Sequence, residues 1–344
     1  MSFTKSCLRA LSYLTNKCRS KLAGLALSAA VSAFFSTFFG AFFGPFFSLS
    51  SVLAAGPRSH EAANANHTTL TANQVYVPGS RNPLQRLDVY APTEESIGTA
   101  GKPAISSAHP SNLPVILYIH GGSFCSGDKV SAVGTMPQVF TNQGFVFVSI
   151  DYRLSPASHF PAHVQDLASA ISWVHRSISR YGGDPSKIFL LGHSAGAQLA
   201  ALVSIDERYL RRHGLGLRTV SGVVLLDGGA LDVTAALLTD KRRPINSPAF
   251  GANPAVWRQA SPVYHVKANK NIPPFLIYYL PSTQQSTEQN SKLISALRKA
   301  NVPHDVHVIE NKNHREINEE LGRPEDPEGA QIVRFFKAFA RRSQ

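Results

Sequence analysis

The residues with the clearest chemical potential lie within 187–198, KIFLLGHSAGAQ. Lys187 to Leu191 read as a short apolar strand, and Gly192-His193-Ser194-Ala195-Gly196 then turns sharply into the helical run AQLAALVSI. A serine on such a turn sits in strained backbone, and glycines two residues to either side let another stretch of main chain pass close. Its chemistry would be attack on an acyl carbon. That requires a base, an acid to orient the base, and N–H donors for the developing oxyanion.

The elements that must position these groups alternate along the chain. Apolar strands are expected at Pro114–His120, Phe145–Asp151, Val220–Leu226, Pro274–Leu280 and Asp305–Ile309, after a hairpin from Gln74–Val77 and Gln85–Tyr90. Helical spacing is read over His163–Arg180, Gln285–Ala300 and Pro327–Arg341. Strands alternating with helices imply an α/β architecture, a mostly parallel central sheet of about eight strands covered by helices on both faces. Its default site is the loop cluster at the strands' C-terminal ends. One such loop, His120-Gly121-Gly122-Ser123-Phe124, carries glycines that let backbone N–H groups turn into a site. The expected oxyanion donors are the amides of Gly122, Ser123 and Ala195.

HGGSFCSGDK, the run from Asp151 through FPA to Asp166, GHSAGAQLAAL and the NHREINEELGRPEDP segment together resemble the carboxylesterase branch of α/β-hydrolases. The resemblance covers roughly residues 75–341 and is similar to hormone-sensitive lipase, feruloyl-type esterases and kynurenine formamidase. It implies the α/β-hydrolase fold and the order serine, acid, histidine, with the histidine in the last strand-to-helix loop. Five histidines follow Ser194: His213, His265, His304, His307 and His314. His314 falls in that loop and is the expected base.

The resemblance also implies an aspartate just after the Pro274–Leu280 strand, but the chain there reads PSTQQST, and the next carboxylate is Glu288. Asp227, at the end of the preceding strand, is preferred as the acid. Glu288 and a dyad without any acid remain the alternatives. Asp232 reads as a helix N-terminal residue, and Asp151-Tyr152-Arg153 as an ion-paired strand end. Cys125 reads as a small buried thiol, and Trp173 and Trp257 as core or pocket wall. The implied activity is hydrolysis of small carboxylic esters through an acyl-enzyme, with no metal or organic cofactor. An arylformamidase-like amide hydrolase and a hydrolase-fold binding protein that has lost catalysis are the rival expectations.

Composition limits partners and placement. The chain has 344 residues and a net charge of +12, of which six cations lie in the first 60 residues, where there is no acid. The remaining +6 forms no basic run, so no nucleic-acid partner is expected. Three cysteines cannot make a disulfide framework. Residues 22–54 are uncharged and rich in Ala, Leu, Val and Phe. With basic residues before them and small ones after, they read as a secretory signal cleaved near Ala54 or Ala55, long enough to serve instead as a membrane tether. The expected organisation is a signal or anchor over 1–55, a flexible leader over 56–73 and a catalytic domain over 74–344. Residues 56–73 and 231–262 are candidate lid segments, and export is the expected localisation.

Overall fold

A computed structural model of the chain describes residues 68–93, 111–239, 247–281 and 284–341. The expected signal or anchor segment, the leader up to residue 67 and residues 94–110 lie outside these residues. Among the described residues eight strands form one sheet: β1 (Thr68–Val75), β2 (Arg86–Pro92), β3 (Leu113–Ile119), β4 (Val146–Ile150), β5 (Gly183–His193), β6 (Val220–Leu226), β7 (Phe275–Tyr279) and β8 (His304–Val308). Their spatial order is β1-β2-β4-β3-β5-β6-β7-β8. The pairs β1·β2 and β2·β4 are antiparallel, and every pair from β4·β3 to β7·β8 is parallel.

The apolar runs are continuous because the inner strands are covered on both faces, and successive side chains go to opposite sides. Val115, Leu117, Ile188, Leu190, Val223 and Leu225 face one core, while Ile116, Tyr118, Phe189, Leu191, Val224 and Leu226 face the other. The first core is closed by helices α2 (Ala162–Ser177) and α3 (Ala195–Ile205). The second is closed by α1 (Met136–Asn142) and α7 (Pro327–Ala340), through Phe140 and Phe336. Between them in sequence lie α4 (Val233–Thr239), α5 (Pro254–Ala260) and α6 (Gln284–Lys299). Fully burying one such apolar side chain contributes about 1.5–3 kcal/mol. All eleven residues of α3 are buried, so the helix after Ser194 is held rigidly against the sheet.

One expectation is corrected here. Residues 68–73, read as the end of a leader, belong to β1. Thr68 pairs with Pro92 and Thr69 with Ala91, and the Thr69 hydroxyl donates to the Ala91 carbonyl (3.1 Å). The segment looks polar because this edge strand is solvated on both faces: the successive pairs Thr69-Leu70 and Ala72-Asn73 are exposed. Since β2 runs against both β1 and β4, Thr68 lies at the end of the sheet where the parallel strands begin. The site residues gather at the other end. Part of the expected lid packs there too: Phe250 meets Phe124 edge-on at 5.1 Å, and the Phe160 amide donates to the Ala249 carbonyl (2.8 Å).

Candidate active site

Ser194 sits between β5 and α3 with φ 54° and ψ −115°, a conformation costly for a residue with a side chain. The flanking glycines are needed for close approach. A Cβ on Gly196 would lie 2.1 Å from the Ile119 carbonyl oxygen, and one on Gly192 would lie 2.5 Å from the Gly196 oxygen. Here β3, β5 and α3 meet with no room for a methyl group. The Ser194 amide donates to the Leu226 carbonyl (3.0 Å), which ties the turn to β6.

His314 follows β8, and its loop is held from several sides. The Asn313 side-chain oxygen accepts the amides of Arg315 (3.0 Å) and Glu316 (3.1 Å). Buried Lys312 is paired with Asp326 and Glu328, each at 2.6 Å. The Ser194 hydroxyl lies 2.9 Å from His314 Nε2, and His314 Nδ1 lies 2.5 Å from Asp227 Oδ2. The carboxylate can only accept, so Nδ1 carries the proton and Nε2 presents a lone pair to the serine hydroxyl. This tautomer is the one a general base requires.

Asp227 itself is buried at the end of β6, with φ 44°. Its amide donates to the Tyr278 carbonyl (2.8 Å). Its second oxygen, Oδ1, accepts the Leu280 amide and the Ser286 hydroxyl, both at 3.1 Å. Three donors therefore converge on one carboxylate. Glu288, the alternative acid, is exposed and accepts instead from the Gln284 amide side chain (2.7 Å). It lies on the outer surface of α6 because the helix begins at Gln284, which turns position 288 toward solvent.

The loop after β3 carries three successive positive φ angles, at Gly122 (113°), Ser123 (54°) and Phe124 (64°). Among the described residues the amides of Gly122, Ser123 and Ala195 have no hydrogen-bond partner. A Cβ placed on Gly121 would lie 3.0 Å from the Ser194 Cβ, so this loop backs directly onto the serine. His120 Nδ1 donates to the Gly121 carbonyl (2.7 Å), pinning that peptide. Burial holds His120 below the ordinary histidine value, which keeps its ring neutral. Its ring stacks on Tyr152 (4.4 Å), whose hydroxyl donates to the His120 carbonyl (2.9 Å).

The remaining sequence expectations divide. Asp232 accepts the Ala235 amide as a helix N-terminal residue should. Arg153 pairs with Asp166 at 2.7 Å, while Asp151 pairs with the Lys129 ammonium at 3.9 Å and accepts the Lys129 amide (2.8 Å), so the strand end is ion-paired through two different partners. Trp173 is buried in the core and Trp257 packs against it. Cys125 is only half-buried, a correction that follows from its place in the tight turn after Gly122, where its amide donates to the Gly122 carbonyl (3.0 Å).

Two residues at the site carried no signal. His193 donates from Nε2 to the His314 carbonyl (2.7 Å), and burial with the neighbouring His314 pushes it down to about 4, so it stays neutral. It occupies the variable position of the elbow, where its identity announces nothing. Ser286 was part of a run that looked catalytically empty.

The assembled groups fit acyl transfer: a strained serine, a correctly protonated imidazole, a fixed carboxylate and amides left open beside the serine. The BD-FAE family profile matches residues 104–296. Among characterised proteins the chain is 30% identical over 176 residues to esterase LipC of Mycobacterium tuberculosis, covering 48% of this chain and 43% of that protein. It is 27% identical over 249 residues to esterase LipQ of the same organism, covering 70% and 54%. The chain thus spans about half the length of these relatives. An inhibited esterase B from Lactobacillus rhamnosis superposes with a TM-score of 0.64 at 18% identity, covering 80% of this chain and 89% of that one. An esterase from Pyrobaculum calidifontis gives 0.61 at 22%, covering 80% and 86%. In sequence and in fold, the chain belongs to the BD-FAE family of α/β-hydrolases.

Proposed function

We propose that the protein is a serine carboxylesterase acting on small carboxylic esters. The observation that supports this best is the continuous hydrogen-bonded chain from Ser194 through His314 to Asp227. In this reading His314 Nε2 takes the Ser194 proton as Oγ attacks the acyl carbon. The amides of Gly122, Ser123 and Ala195 receive the oxyanion, and Asp227 stabilises the imidazolium. The imidazolium then protonates the departing alcohol, leaving an acyl-enzyme. A water, deprotonated by the same imidazole, releases the acid. The relatives named as esterases support the same class of substrate.

The rival reading as an impaired binding protein was motivated by the missing aspartate after β7. Asp227 after β6, hydrogen-bonded to His314 Nδ1, supports the catalytic reading over that one. Purified protein should hydrolyse p-nitrophenyl acetate and take up one fluorophosphonate per chain, and Ser194→Ala should do neither. Equal turnover by the Ser194→Ala variant would overturn the proposal. Preferential turnover of formyl-kynurenine would assign amide chemistry instead. The uncharged stretch 22–54 supports a reading of export, with that stretch as signal or tether; among the described residues no helix is long and apolar enough to cross a membrane.

A further inference from the structure

The molecule's positive charge is not evenly distributed. Segments 175–187, 206–218 and 258–271 hold ten Lys and Arg against three carboxylates. That surplus alone exceeds the +6 left to residues 61–344 when the six cations before them are set aside from +12. The three segments are distant in sequence but share one face. The Arg218 guanidinium donates to Asn271 (2.8 Å), the Ser221 hydroxyl to the Ser186 carbonyl (3.1 Å), and Lys270 pairs with Glu207 (3.1 Å).

The carboxylates here are already spent. Asp184 pairs with Lys187 (2.9 Å), Asp206 with Arg208 (2.5 Å), and Glu207 with Arg211 (2.7 Å) as well as Lys270. Exposed Arg180, Arg212, Arg218 and Lys267 have no carboxylate partner among the described residues. Some cations near helix C-termini are expected, since they offset the helix dipole. Arg218 and Lys267, however, lie outside the labelled helices, so the excess exceeds that need.

The position of this face matters as much as its charge. It surrounds the starts of β5, β6 and β7 and the C-terminal end of α3, whose eleven residues rise about 16 Å from Ser194. Thr68, where the chain enters β1, lies at this same end of the sheet. Upstream in sequence stand the uncharged residues 22–54 and a first sixty residues with cations but no acid.

We infer that this basic face lies against anionic phospholipid headgroups, with Ser194 directed away from the bilayer. Each Lys or Arg close to such a surface strengthens binding about fivefold, within a range of about 10 Å at 0.1 M salt. A nucleic acid would offer similar charge, but chain entry at this same end of the sheet favours a bilayer. The inference does not depend on the chemistry proposed for Ser194.

The test uses the full chain with neutral phosphatidylcholine vesicles and with vesicles containing about 30% phosphatidylglycerol. Taking the ratio of the two partition coefficients cancels any contribution from residues 22–54. Neutralising three cations together (Arg212→Gln, Arg218→Gln, Lys267→Gln) should lower that ratio about a hundredfold, on the fivefold rule. Hydrolysis of a soluble ester in the same samples should be unchanged. In the wild type, acetylation of Lys270 should slow at least about fivefold on anionic vesicles, and that protection should vanish at high salt. Equal labelling on both vesicles, or an unchanged ratio in the triple variant, overturns the proposal. So does a DNA duplex that protects Lys270 as well as the anionic vesicles do.

Discussion

Exchanging Asp227 for asparagine tests the geometry of the site at its least obvious point. In the native arrangement Oδ1 accepts the Leu280 amide and the Ser286 hydroxyl, and Oδ2 accepts His314 Nδ1–H. An asparagine keeps its carbonyl oxygen on the first two donors, so its NH₂ must face His314. Nδ1 can then remain beside it only as an acceptor, which moves the ring proton to Nε2. The imidazole would present N–H rather than a lone pair to Ser194, and the base is lost. In triads on other folds this change costs about 10⁴ in kcat, or about 5 kcal/mol of transition-state stabilisation. The fold should survive, because two of the three hydrogen bonds persist. Weakening them costs about 1–2 kcal/mol, or about 2–6 °C in Tm. The assay is kcat and KM for p-nitrophenyl acetate together with the rate of fluorophosphonate labelling, for Asp227→Asn beside Glu288→Gln. Glu288→Gln should match wild type. An Asp227→Asn enzyme retaining more than about a tenth of kcat would refute the reasoning.

Three further outcomes are expected. Ser286→Ala removes one donor from the Asp227 carboxylate; kcat should fall about tenfold with KM within twofold, and unchanged steady-state kinetics would remove Ser286 from the site. Gly196→Ala forces a methyl group to within 2.1 Å of the Ile119 oxygen; scanning calorimetry should register a loss of about 3 kcal/mol, about 10 °C, together with loss of serine labelling. Burial, with the charges of Arg153 and His159, pushes His163 down to about 4, so only the unfolded chain takes up its proton between pH 6.5 and 4. Stability therefore falls with pH in that window, by about 1.4 kcal/mol per unit from this group. Urea unfolding of wild type and His163→Gln should show their difference shrinking by about 2 kcal/mol between pH 7 and 5; a constant difference contradicts a neutral buried His163.

The proposed nucleophile, base and oxyanion loop could be located in the sequence because each is tied to a backbone constraint that leaves a trace. Glycines at 192 and 196 mark a close approach, Gly121-Gly122 marks a left-handed loop, and His314 follows the last strand of a countable alternation. The acid was harder. A buried carboxylate at a strand end and a turn-capping aspartate look identical in sequence, and only the meeting of β6, β7 and the His314 loop separates Asp227 from Glu288. His193 and Ser286 were silent for a related reason: each acts through one hydrogen bond to a partner about 60 to 120 residues away. The first residues of β1 were misread because an edge strand solvated on both faces has the composition of a loop.

The acid's place on β6 has a consequence for how this protein can change over generations. The proposed nucleophile and acid, Ser194 and Asp227, follow adjacent strands whose ends are in register, His193 opposite Leu226, so both are positioned by a single ladder of main-chain bonds. Among the described residues, the segment after β7 gives the Asp227 carboxylate the Leu280 amide and the Ser286 hydroxyl. On the proposed roles it carries no charge that must stay fixed, so changes there that spare Ser286 and the Leu280 amide should cost little activity. That makes the connection between β7 and α6 the natural place to graft new selectivity.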